Sequence, residues 1–175
     1  RGVLLGKCVD IQRHYTDNVF KYLQTTQARL LFENSLITGS VSNLHHALDL
    51  LEPLLIEAER LKRVTSQIEI MILQSLMLFE MKDDRAINIF LHALALGEPE
   101  GYRRLYLDEG QRLKKLLQLC HSVQRDSDKN LPSILFIESL LNDLAGEEGG
   151  SKDIQKPFIQ KVNPMTTLAK DGLSI

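Results

Sequence analysis

A helical phrase occurs twice in this chain, and the repetition limits the possible folds more than any other feature. In LHHALDLLEPLL the apolar positions Ala47, Leu48, Leu50, Leu51 and Leu54 stand 39 residues before Ala86, Ile87, Ile89, Phe90 and Ala93 of RAINIFLHAL. Each copy follows another apolar stretch of helical period. A unit of this kind cannot bury its apolar face alone, so it stacks on its neighbours as an α-solenoid. Stacked antiparallel hairpins leave one concave surface free to hold a ligand or partner.

Reading along the chain, Val3 to Ile11 reads as the end of a preceding repeat, covering 1–17. Asp17 suits the N-cap of a helix from Asn18 to Leu36, because its carboxylate can accept from first-turn amides. Thr38-Gly39-Ser40 breaks the period, and Ser42 then caps a helix to Arg63, with a kink expected near Asp49 to Pro53. Thr65 or Ser66 opens a helix that is apolar almost all round, from Ile68 to Met81, which belongs in the middle of a stack. Its methionines would suit an adaptable groove if exposed, but the all-round apolarity points to core. Asp83 or Asp84 caps the next helix, and Gly97 ends it. A short helix through Tyr102 to Leu107, another from Glu109 to Gln124, a solvated loop over Arg125 to Asn130 and a last helix opening at Pro132 follow. Past Ala145 the apolar period stops, so 146–175 reads as a tail or interdomain linker and 18–145 as the repeat domain. No strand alternation occurs anywhere. The expected fold class is all-α.

The 21 basic and 23 acidic side chains leave a net charge of −2, so no global field draws this chain to nucleic acid. Cys8 and Cys120 form no CxxC pair, which argues against a disulfide framework or zinc site and points to a reducing, cytoplasmic setting. The longest nearly uncharged stretch, Ile70 to Phe79, is shorter than the roughly 20 residues of a membrane span. The start at Arg1, without methionine, reads as a piece of a longer protein.

The chemistry-bearing residues are sparse. His45 and His46 are helical neighbours pointing about 100° apart, so they cannot both face one ion. His92 and His121 read as solvated. Asp83-Asp84 and Glu147-Glu148 lie in a turn and a tail, without the low-dielectric wall that separates an acid from a base. No phosphate loop, nucleophile elbow or HExxH occurs, so no catalytic, cofactor or metal residue is assigned and no enzyme is expected. Tyr102 and Tyr106, spaced i, i+4, either present a ring pair to a ligand or pin their short helix to the preceding repeat. The basic cluster of Arg103, Arg104, Arg112, Lys114 and Lys115 either touches an acidic partner or nucleic acid, or is a solvated face with intrahelical ion pairs. Tyr102, Tyr106, Arg103 and Arg104 are therefore the candidate ligand contacts.

The hairpins resemble tetratricopeptide repeats, in which small residues such as Ala47, Ala86 and Ala93 let a hairpin close, although the period of 39 exceeds the usual 34. The phrase ALALGEPEGYRRLYLDEG, from Ala93 to Gly110, is similar to one in the helical-repeat region of MalT-like, LuxR-type transcriptional regulators. Leu96, Glu98, Pro99, Gly101, Tyr102, Arg104, Leu107, Asp108 and Glu109 carry the likeness, while the turn at Met81-Lys82-Asp83 lacks a glycine common there. The resemblance implies a non-catalytic sensor and oligomerisation domain that binds a small-molecule inducer or a regulatory protein and self-associates. ATP and DNA would belong to other domains, one before it and one after. The alternative is a constitutive protein–protein scaffold of the same repeat type.

Overall fold

The computed structural model of the protein describes residues 2–124 and 132–150. It is all-α: the described residues form α1 (Gly2–Thr38), α2 (Val41–Arg60), α3 (Val64–Glu80), α4 (Arg85–Gly97), α5 (Arg104–Leu107), α6 (Gln111–Gln124) and α7 (Ile134–Gly150), with no strand. Helices α1 and α2, α3 and α4, and α6 and α7 pair as hairpins; α2 also packs on α3 and α4 on α6. Because α1 touches α3 and α3 touches α6, these three succeed one another along one side of the stack.

The two copies of the repeated phrase occupy equivalent places. Ala47 and Ala86, Leu51 and Phe90, and Leu54 and Ala93 are buried pairs, whereas Leu48 and Ile87, and Leu50 and Ile89, are half-buried pairs. Agreement at every position follows from period: residues one repeat apart meet the same neighbour face, so the same side chains lose water. Helix α3 lies in the middle, with every residue from Ile70 to Leu78 buried, as its all-round apolarity requires. Met71 and Met77 therefore belong to the core.

Several boundaries differ from the sequence reading. Helix α1 runs unbroken through Asp17, which is interior and not an N-cap. Residues 7–38 contain neither glycine nor proline, and an interior aspartate costs a helix only about 0.7 kcal/mol. Thr65 and Ser66 are likewise inside α3, and α2 begins at Val41 and continues through Pro53. Ser133, one residue after Pro132, caps α7: its Oγ accepts from the Phe136 amide at 3.1 Å. Helix α7 continues past Ala145 to Gly150; the loop reading at 125–130 and the tail from 151 lie outside the described residues.

The turn without a glycine still closes as one with glycine would. Lys62 and Lys82 take left-handed φ values of 54° and 59°. After α2, the Arg63 amide donates to the Ala58 carbonyl at 2.9 Å and Lys62 to Glu59 at 3.0 Å; after α3, Asp83 donates to Leu78 at 2.9 Å and Lys82 to Phe79 at 3.0 Å. The same wrap follows α4, where Gly101 supplies the positive φ of 67° and Tyr102 donates to the Gly97 carbonyl at 3.0 Å. Lysine thus holds, with strain, a conformation that glycine holds freely.

Candidate ligand and partner grooves

The phrase from Ala93 to Gly110, with Arg112 just after it, forms a joint between the second hairpin, the first helix and the last one. Gly97 ends α4 against Tyr106, whose ring is fully buried and whose hydroxyl donates to the Ala93 carbonyl at 2.7 Å. The edges of Phe90 and Phe136 enclose that ring, with centroids 6.3 and 5.9 Å away. Burial raises the Tyr106 pKa, so the phenol stays a neutral donor. Glu98 accepts the Ser133 amide at 2.7 Å and its hydroxyl too, which anchors the start of α7. Arg103 reaches across to α7, donating to Ser139 Oγ at 2.9 Å and pairing with Asp143. From the far end of the phrase, Glu109 grips Arg29 of α1, and Arg112 pairs with Glu33 while lying 5.9 Å over the Phe32 ring.

This placement decides among the readings of the candidate contacts. Tyr106 is core and cannot present its ring to a ligand. Tyr102 packs half-buried against the same core. Arg103 is committed to α7, and Arg104 pairs with Asp108 at 2.7 Å one turn on. The Arg104 pair is local, four residues apart, whereas Arg103 and Arg112 tie to other helices. His45, His46 and His92 are exposed, and His121 meets Glu138 at 3.1 Å. Cys120 is buried, and its thiol pKa is pushed up to about 12 by that burial. Among the described residues no three His, Cys, Asp or Glu side chains gather as a metal site.

A groove of a size to receive a small molecule lies elsewhere, where α1, α2 and α3 meet. It has a volume of about 420 Å³, with Leu54, Ala58 and Ile70 as an apolar floor and Lys21, Tyr22, Thr25, Thr26, Arg29, Ser66 and Glu69 along its walls. That volume falls within the usual range for small-molecule pockets. Thr25 and Thr26 donate their hydroxyl protons back to the Lys21 and Tyr22 carbonyls, at 3.0 and 2.8 Å, which leaves the hydroxyl oxygens with acceptor capacity. Lys21 pairs with Glu57 at 3.7 Å, and Arg29 with Glu69 at 3.3 Å and Glu109 at 2.6 Å. Burial opposes the charge on Arg29, but Glu109 and then Glu69 more than offset it, and its pKa rises. The lining, which also includes Arg63, is thus hydroxyl-rich with Lys21 and Arg29 paired to carboxylates, which suits a neutral polar molecule better than a bare ion. Sequence reasoning did not single out Lys21, Thr25 or Arg29, because only tertiary packing sets Glu69 and Ile70 opposite them.

Paired antiparallel helices with equivalent small residues at the closing positions define a helical-repeat domain of the tetratricopeptide type. Such a repeat is in general non-catalytic. The sequence matches the family model of the MalT-like TPR region over residues 7–122, more than half of the chain, and the protein belongs to that family, a helical domain of regulator type. No curated protein and no solved structure matches. Among the described residues no helix is long and apolar enough to cross a membrane.

Proposed function

We propose that this domain is the sensor and oligomerisation segment of a LuxR-type transcriptional regulator, and that a small polar inducer seats in the groove at α1, α2 and α3. The observation that carries the reading is the position of Arg29. One guanidinium on the groove wall binds Glu69 of α3 on one hand and Glu109, in the turn before α6, on the other. A ligand that draws Arg29 towards itself loosens one of those ties, and so favours one packing of the hairpins over another. Occupancy shifts the population only as far as the ligand's affinities for the two packings differ. A regulatory protein or a second copy of the chain would read the same change. ATP hydrolysis and DNA recognition belong, on this reading, to other domains of the regulator.

Differential scanning fluorimetry of the 175-residue chain against a panel of sugars, nucleotides and amino acids tests the reading, followed by titration calorimetry on any hit. A specific binder lost on Arg29→Met, with a ligand-dependent change of mass in light scattering, is the expected result. No binder and no self-association would overturn it. A stable protein partner captured equally with and without metabolites would point instead to a constitutive scaffold.

A further inference from the structure

On the other side of the stack, between α2 and α4 and over α3, lies a larger groove of about 770 Å³. We propose that it binds an extended basic peptide segment. Three buried polar side chains stand out among the described residues: Ser35, Gln74 and Ser75. The two serines are satisfied by their own helices, Ser35 donating to the Phe32 carbonyl at 2.6 Å and Ser75 to the Met71 carbonyl. Gln74 is only 6% exposed, lines the floor of this groove and has no hydrogen-bond partner among the described residues. A buried carboxamide left unpaired is costly, so its presence calls for a visitor that pairs with it.

The chemistry of that visitor follows from the surroundings. A carboxamide offers donors and an acceptor side by side, which complements the C=O and N–H of a peptide backbone. Asp49, Glu52 and Glu59 line the α2 wall; Arg85 on the α4 side is bound to Asp83 at 2.7 Å and also feels the charge of Glu52, and the carboxylates still outnumber it. His45 and His92 also face the groove. Net acidity on the wall attracts lysine or arginine side chains. Asp49 and Glu59 are ten residues apart on one helix, about 15 Å, which an extended peptide spans in about five residues. Between them Met71 and Leu78 offer an apolar floor for an aliphatic side chain. A linear polyamine, all donor and no acceptor, would meet the carboxylates but leave the Gln74 amide N–H groups and the apolar floor unused.

Fluorescence anisotropy on the whole chain tests this, with a fluorescein-labelled, end-capped hexapeptide alternating lysine and leucine, and a counterpart with glutamate for lysine. The lysine peptide should bind saturably, more weakly as salt rises, and the glutamate peptide should not. Gln74→Leu should weaken binding roughly tenfold, as loss of a paired buried amide does, while its melting midpoint equals or exceeds that of the parent. The Asp49→Asn, Glu52→Gln double variant should weaken it at least as much. Unaltered binding by Gln74→Leu, equal binding of the glutamate peptide, or displacement by spermidine at concentrations equal to the peptide's would each overturn the proposal.

Discussion

Replacing Gly97 by alanine should destabilise the protein by about 3 kcal/mol, although the same change in an ordinary helix stabilises it. Gly97 closes α4 in contact with Tyr106, and a Cβ there would lie 2.1 Å from the tyrosine hydroxyl oxygen and 3.0 Å from Cε2 and Cζ. The ring has nowhere to go, because it is fully buried between Phe90 and Phe136. Moving it breaks the 2.7 Å bond to the Ala93 carbonyl and strands a buried hydroxyl, which costs about 1–3 kcal/mol. Overpacking adds a further cost of about 1–3 kcal/mol, and helix propensity returns about 1 kcal/mol. Urea unfolding followed by far-ultraviolet circular dichroism measures the balance. Tyr106→Phe alone should cost about 1 kcal/mol, and the double variant should be more stable than Gly97→Ala alone, because the clashing oxygen is gone. A Gly97→Ala protein as stable as the parent, or strictly additive single changes, would refute the reasoning.

Three further outcomes are expected. Lys82→Gly and Lys62→Gly should each stabilise by about 0.5–1 kcal/mol in the same urea assay, since glycine relieves the left-handed strain without losing a contact of the core. In a Cys8→Ser chain, Cys120 should react with Ellman's reagent at mildly alkaline pH only as fast as the protein opens, because burial both covers the sulfur and holds its pKa up at about 12. The Asp83 carboxylate, held down to about 2 by the Arg85 guanidinium and then the Arg85 amide, should titrate by carboxyl-carbon NMR well below the ordinary 3.8 and move up towards it in Arg85→Ala. Because that folded-state pKa is depressed, the interaction's contribution to stability is present above pH 3.8 and fades as pH falls through about 2.

The repeated phrase was legible because burial in a stack depends on period, and period is a property of order along the chain. Ala47 and Ala86 announced the hairpins, and the unpunctuated apolar run from Ile68 announced the central helix. The start of α1 was misread at Asp17, where a capping residue type carried no capping geometry: nothing before it interrupts the helix. At Gly97 the position was read correctly and the reason was not. A glycine at a helix end suggests a left-handed cap, but the conformation falls to Gly101, and Gly97 is small to admit Tyr106.

The order of residues alone determined that the protein is a stack of α-hairpins, because hydrophobic periodicity acts locally and repeats. Tertiary structure alone decided which polar groups face one another. It set Arg29 between Glu69 and Glu109, 40 and 80 residues away, tied Arg103 to α7, and left Gln74 buried with no partner among the described residues. A charge or amide on a helix looks the same in sequence whether water or another helix lies opposite it, and only packing supplies the difference.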